Sequence, residues 1–219
     1  MARKKTITRE HIYSMYIDHV LSKGEPPKNV YIFSKENNFE ESLFYQHFGS
    51  FEAVEKSIFE AFFDNTMTLL EGNEDYAGFD NRNKLLSFYF TFFENLTANR
   101  SFILTVLARH KDQLKTLPLF SALGRKFKAY IGSLAITPVP VADKNLEKIQ
   151  EKAIEESAWI QLLITMKFWA EDSSPSFEKT DIFIEKAVNT SFDLIDNIPL
   201  RSMIDFGKFL VKEKFNMSM

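Results

Sequence analysis

The chain has 219 residues, 45% hydrophobic and 26% charged, with a mean hydropathy of -0.20; it has the apolar content for one sizeable core or two small ones, which excludes a disordered or fibrous protein. Seven Gly and seven Pro against 23 Phe point to few loops and an aromatic interior, and the absence of Cys removes disulfides, a thiol nucleophile and Cys-ligated zinc. A net charge of -3 argues against a surface that is basic throughout, although residues 1–50 carry seven Lys/Arg against six acids, which makes this part +1 and the remainder -4.

The opening Met1-Ala2-Arg3-Lys4-Lys5 runs into polar residues rather than an apolar signal core, and no stretch approaches the roughly 18 apolar residues that span a bilayer, so a cytoplasmic protein is expected. Thr8 is placed to cap a first helix whose Ile12, Met15, Tyr16, His19 and Val20 recur at helical spacing, with Ile7 and Ile12 as a hydrophobic staple and Gly24 as the stop. After Glu25-Pro26-Pro27, Asn29 is a good N-cap for a short helix from Val30 to Glu36 with Val30 and Phe33 on one side. Asn37-Asn38 makes the next turn, since Asn tolerates the left-handed conformation, and a second short helix from Glu40 to Phe48 buries Leu43, Phe44 and Phe48. Ser50 then caps a long helix to about Leu70 with Val54, Ile58, Ala61, Phe62 and Leu69 inward.

Beyond Gly72 the helical period runs through Asn83 to Leu96, Ser101 to about Lys111, Pro118 to Leu134, Asn145 to Ala170, Asp181 to Asp196 and Leu200 to Lys214. Ordinary punctuation separates them at Gly72-Asn73-Glu74-Asp75, Pro138-Val139-Pro140, Ser173-Ser174-Pro175 and Asn197-Ile198-Pro199. The Phe-rich run Leu85 to Phe93 is apolar nearly all round, as in a helix surrounded by others; a buried strand is the other reading of such a run. The expected fold class is all-α.

The first 50 residues hold the specific pattern. Three helices of roughly 15, 7 and 8 residues with a tight turn between the last two make a helix-turn-helix arrangement. In Leu43-Phe44-Tyr45-Gln46-His47-Phe48-Gly49-Ser50-Phe51-Glu52-Ala53-Val54 an aromatic-x-His-Phe sequence ends one helix and a Ser-capped helix begins. Over residues 7 to 70 this resembles the TetR family of bacterial transcriptional repressors, and helix order and length extend the resemblance loosely over the whole chain. It implies an N-terminal helix-turn-helix DNA-binding domain, residues 1–50, joined by a long fourth helix to a helical ligand-binding and dimerisation domain, residues 51–219.

Carried over position by position, the resemblance makes Asn29 a phosphate-contacting cap, makes Glu41, Ser42, Leu43 and Gln46 groove-facing, and makes Tyr45 and His47 phosphate contacts. Their chemistry suits this: a phenol and an imidazole donate to phosphate, Gln46 can pair with a base edge, and Arg3, Lys4 and Lys5 form a basic arm. Packing in the small domain's own core is the alternative role for Tyr45 and His47. Three positions depart from the family pattern: its Lys at the start of the fourth helix is Phe51, its turn Gly is Asn38, and Glu40 and Glu41 open the third helix. Those acids would repel phosphates, yet they also suit the positive end of a helix or the amino group of a cytosine.

In the segment from Asn145 to Ala170, Leu146, Ile149, Ala153, Ile160 and Ile164 make one stripe and Trp159, Leu162, Met166 and Trp169 a second; Ile184, Ala187, Val188, Ser191 and Ile195 mark one face of the next helix. The resemblance implies that two such helices pair across a two-fold axis in a homodimer, through candidates Ile160, Ile164, Ile184, Val188, Ser191 and Ile195; a hairpin core within one chain satisfies the same pattern. It also implies a pocket for a small apolar ligand, with Phe63, Met67, Phe88, Phe92, Leu107, Phe127, Trp159 and Met166 as candidates, residue types that equally make plain core.

The four histidines, His11, His19, His47 and His110, lack metal-ligand spacing, and no phosphate loop, nucleophile elbow or zinc-protease motif occurs. No metal, cofactor, catalytic residue or enzyme activity is expected. The leading expectation is a TetR-like regulator, a repressor, that binds double-stranded operator DNA as a homodimer, is released by a small apolar ligand and has no membrane partner. The second is a TetR-fold carrier of a hydrophobic ligand or lipid with a degenerate DNA-binding head, similar to the accessory family of coenzyme Q biosynthesis. A helical enzyme with scattered active-site residues is the third.

Overall fold

The computed structural model describes residues 7–109, 117–136 and 144–197. Among the described residues it holds nine α-helices, three short 3-10 turns and no strand, so the fold is all-α. Arg3, Lys4, Lys5, His110, the break at Pro138-Val139-Pro140 and the helix expected from Leu200 to Lys214 lie outside the described residues. Two compact units divide the chain: residues 1–74 with 90–126, and residues 75–89 with 127–219.

In the first unit the local signals place the helices. Helix α1 (Arg9–Lys23) opens on a capping box: Thr8 Oγ1 accepts from the His11 N–H at 3.3 Å, and His11 Nδ1 accepts from the Thr8 N–H at 3.3 Å, so an imidazole stands where Glu or Gln is usual. Ile7 and Ile12 are both buried, as the staple requires. Gly24 ends α1 with φ 75°, a left-handed position where a Cβ would be strained, and its N–H donates to the Val20 carbonyl at 2.8 Å. Helix α2 (Val30–Glu36) is capped by Asn29, whose Oδ1 accepts from the Ile32 N–H at 2.8 Å. Asn38 takes φ 57° in the turn, and Phe39 N–H donates to the Ser34 carbonyl at 3.0 Å, closing the α2 end.

Helix α3 (Glu41–Tyr45) is shorter than the pattern predicts. Its end tightens so that His47 and Phe48 N–H both donate to the Phe44 carbonyl at 2.9 Å, which turns Phe48 into the core. Helix α4 (Phe51–Glu71) begins at Ser50, whose hydroxyl accepts from Ala53 N–H at 3.2 Å. Helix α6 (Arg100–Arg109) lies against α1, with the Phe102 ring edge-on to Tyr16 at 6.3 Å, and Phe120 stands edge-on to Phe59 of α4 at 4.9 Å.

In the second unit, α8 (Lys144–Glu171) and α9 (Glu178–Asn197) form an antiparallel pair. Phe168 and Phe183 stack at 4.6 Å near their connection, and farther along Ser191 Oγ donates to Gln161 Oε1 at 2.6 Å. Asp172 organises that connection by accepting from the N–H and hydroxyl of both Ser174 (2.8 and 2.7 Å) and Thr180 (3.0 and 2.7 Å). The Thr180 hydroxyl bond, opposed by burial and helped by Ser174, holds the Asp172 carboxyl well below the usual range.

Helices α5 (Asn81–Ala98) and α7 (Ser121–Ser133) contribute residues to both units. The Phe-rich run is helical, with Leu85, Phe88, Tyr89, Phe92, Phe93 and Leu96 all buried. Within the second unit Phe88 packs on Phe127 at 5.2 Å and on Tyr130 at 5.1 Å, and the Tyr130 hydroxyl bonds Tyr76 at 2.9 Å and donates to the Lys84 carbonyl at 3.1 Å. No helix among the described residues is long and apolar enough to cross a membrane.

Candidate functional site

The short helix α3 presents a mixed surface. Ser42, Tyr45 and Gln46, at i, i+3 and i+4, are exposed on one side, while Phe44 and Phe48, also i and i+4, are buried on the other. Leu43 and Glu41 are half-buried. Tyr45 is 54% exposed and its hydroxyl donates to Glu41 Oε1 at 3.4 Å, so the residue expected to meet a phosphate has a carboxylate beside it. Desolvation and that carboxylate push the Tyr45 phenol up, so at neutral pH it is a donor. Glu40 makes no side-chain cap, but Glu41 lies in the first turn, where the partial positive charge of the helix end favours it.

His47, expected as a phosphate contact, has one ring nitrogen engaged within the chain. It is half-buried and its Nε2 lies 2.9 Å from the Ile7 carbonyl oxygen, 40 residues earlier. A carbonyl only accepts, so Nε2 carries a proton and donates it to the Ile7 oxygen. The geometry makes His47 a clamp joining the end of α3 to the start of α1. Asn29 is exposed, with its carbonyl oxygen engaged in the α2 cap and its amide N–H₂ directed elsewhere.

Phe51, where the family pattern has Lys, has a packing role. Its ring stacks on Tyr16 at 5.5 Å and meets Phe33 at 5.4 Å and Phe44 at 5.3 Å edge-on, so one aromatic cluster ties α1, α2, α3 and α4 together. A lysine there would leave this cluster short of a ring. Sequence reasoning also missed Tyr31, 56% exposed on α2 with the Lys35 ammonium 5.5 Å from its ring centre. An exposed aromatic beside a cation was its available signal.

A buried polar knot joins α1, α4 and α6. Glu55 is 4% exposed; its Oε1 accepts from the Tyr16 hydroxyl and from Arg109 Nη2, each at 2.5 Å. Burial first, then the Glu55 charge, push the Tyr16 phenol far up, which keeps it a donor. These three residues are up to 93 positions apart, from 16 to 109, so no local pattern could have grouped them.

The apolar faces of α8 and α9 sort differently from the expected dimer stripe. Ile160 and Ile164 are 55% and 53% exposed, whereas Ile184 and Val188 are fully buried within their own chain and so are inaccessible to a partner. Ser191 is half-buried and bonded to Gln161, and Ile195 is half-buried. The α9 stripe Ile184, Val188 and Phe192 faces inward because it closes the unit's core, and Ile182 and Leu194 are the apolar residues left exposed at 50% and 52%.

The pocket candidates fall in both units. Phe63, Phe88, Phe92, Phe127 and Met166 are buried, and Met67, Leu107 and Trp159 half-buried. Phe63, Met67, Phe92 and Leu107 belong to the first unit and the other four to the second, where Trp159 packs on Phe127 at 6.4 Å. The second unit contains a cavity of about 320 Å³ that none of the eight lines. Its walls include Leu85, Ile131, Ile154 and Phe192, and Gln150, Ser157, Gln161 and Ser191 bring polar groups to it. Ser191 and Ile195, expected at a dimer contact, line this cavity.

Three helices with a tight turn between the second and third open a chain whose fold class is all-α. Residues 84–210, more than half of the chain, match the family described as Tetracyclin repressor-like, C-terminal domain. The chain belongs to the TetR family, whose members are regulators. No curated protein matches it.

Proposed function

We propose that this TetR-family regulator binds operator DNA through residues 1–50 and acts as a cytoplasmic repressor, not as an enzyme. Residues 51–219 carry dimerisation and a small apolar ligand whose binding weakens the operator complex. The observation that supports this reading best is the face of α3: Ser42, Tyr45 and Gln46 stand exposed together while Phe44 and Phe48 anchor the helix from behind. Tyr45, Ser42 and Asn29 supply neutral donors for phosphates, Gln46 a base-edge pair, Leu43 a thymine methyl contact, and Arg3, Lys4 and Lys5 a basic arm. In a homodimer, the exposed Ile160 and Ile164 supply the two-fold contact.

The test is selection of fragmented DNA from the protein's own source, followed by salt titration. A palindromic site is expected, with affinity falling steeply as salt rises. Tyr45→Ala should weaken binding to all sequences and Gln46→Ala should change preference at particular bases. Full operator binding by both variants would overturn the assignment of α3.

The Glu41 carboxylate beside Tyr45 supports a second reading, a TetR-fold carrier of a hydrophobic ligand whose head has lost DNA binding. Under that reading no fragment is enriched even near about 50 mM salt, where phosphate contacts are strongest.

A further inference from the structure

The cavity of the second unit brings together two amide groups with no acceptor among the described residues. Gln150 Nε2 and Gln161 Nε2 are both buried and make no hydrogen bond, and both residues line the cavity. Gln161 Oε1 accepts from Ser191 Oγ at 2.6 Å, with its N–H₂ on the other side of the amide. Buried amide donors are ordinarily paired, and two unpaired donors on residues that line one cavity are open to an acceptor that enters it. About 320 Å³ is roughly ten waters' worth of liquid and at the lower end of small-molecule pockets.

The placement on α8 gives the shape of the ligand. Gln150, Ile154, Ser157, Ala158 and Gln161 recur at i, i+4, i+7, i+8 and i+11, one face of the helix. Eleven residues at 1.5 Å each put the two glutamines about 16 Å apart along the axis, so a single oxygen cannot meet both amides. Between them the face is apolar or small. Among the described residues no Lys, Arg or His lines the cavity, so an ionised carboxylate there would find no counter-charge on them.

We propose that this cavity binds an elongated, neutral, apolar molecule carrying a hydrogen-bond-accepting oxygen, such as an ester, ketone or amide carbonyl, near each end, one held by Gln150 and the other by Gln161. It deepens the reading of the chain as a ligand-responsive regulator by naming the ligand's chemistry, while the site itself is tested without DNA.

The probes are dimethyl sebacate, with an ester at each end, methyl decanoate with one, decane with none, and the sebacate dianion, each titrated into the full chain by calorimetry. One site per chain is expected, with each properly placed ester improving affinity about tenfold, the size of one neutral hydrogen bond, and with the dianion binding no better than decane. Gln150→Leu or Gln161→Leu should make the diester and monoester equivalent. Gln161→Glu keeps the Ser191 bond and the side-chain volume but sets a carboxylate against the ester, so it should cost the diester tenfold or more while decane binding holds, which controls for folding. Equal binding of all four probes, an unchanged diester preference in the glutamine variants, or no saturable binding because the cavity holds water only would each overturn the proposal. Glutamine-dependent diester binding with no effect on a selected operator would leave this site standing and refute the ligand-release reading alone.

Discussion

Removing Arg109 tests the buried knot that joins α1, α4 and α6. In Arg109→Met, Glu55 keeps the Tyr16 hydroxyl but loses the guanidinium on its Oε1. Breaking one partner out of a fully buried pair costs about 3–5 kcal/mol. The Glu55 side chain is 5% exposed but Arg109 is 24% exposed, so water relieves part of that cost and about 2–3 kcal/mol is expected. With an unfolding entropy of about 2.1 cal/mol/K per residue, a chain of 219 residues changes by roughly 0.46 kcal/mol for each kelvin, and the melting temperature should drop by roughly 4–7 °C. Pairing Arg109→Met with Glu55→Leu removes the orphaned charge but leaves the buried Tyr16 hydroxyl without Glu55 as acceptor, so the double variant should cost less than the sum of the two single variants, with a coupling of about 2 kcal/mol, while remaining below the parent. Circular dichroism melts of the two single variants and the double complete the cycle. Additivity within about 0.5 kcal/mol would refute the claim that these charges stabilise each other.

Two further outcomes follow from the same contacts. Phe51→Lys, which restores the family's residue, should cost about 2–3 kcal/mol in urea unfolding, because three ring contacts in the head are lost and the ammonium must leave the cluster; unchanged stability would contradict the packing role given to Phe51. The folded Asp172 carboxyl lies below its unfolded value of about 3.9, so its stabilisation is present above about pH 4 and is lost as pH falls further toward the folded value. Asp172→Asn should therefore lower the melting temperature at pH 7 and flatten its fall on acidification below pH 4, and a variant whose acid profile parallels the parent's would exclude this linkage.

Much of the first unit was legible because its signals act within four residues. Thr8, Asn29 and Ser50 cap helices, Gly24 and Asn38 take left-handed positions, and each needs only its own backbone and the next turn. The heptad-scale stripes of α8 and α9 were legible as stripes. Their partners were not: the periodicity of Ile184 and Val188 is the same whether the face meets a second chain or its own core.

The amino-acid order by itself determined the helices, their caps, the helix-turn-helix spacing and the family, since these depend on short-range sterics and hydrogen bonds and on recurring local patterns. The tertiary structure decided what each side chain meets. It sent His47 to the Ile7 carbonyl, 40 residues away, Phe51 into an aromatic cluster, Arg109 to Glu55 across 54 residues, and Gln150 and Gln161 to one cavity. Helical period specifies which residues share a face, but only the packing of one helix on another selects the donor, ring or charge that the face will touch.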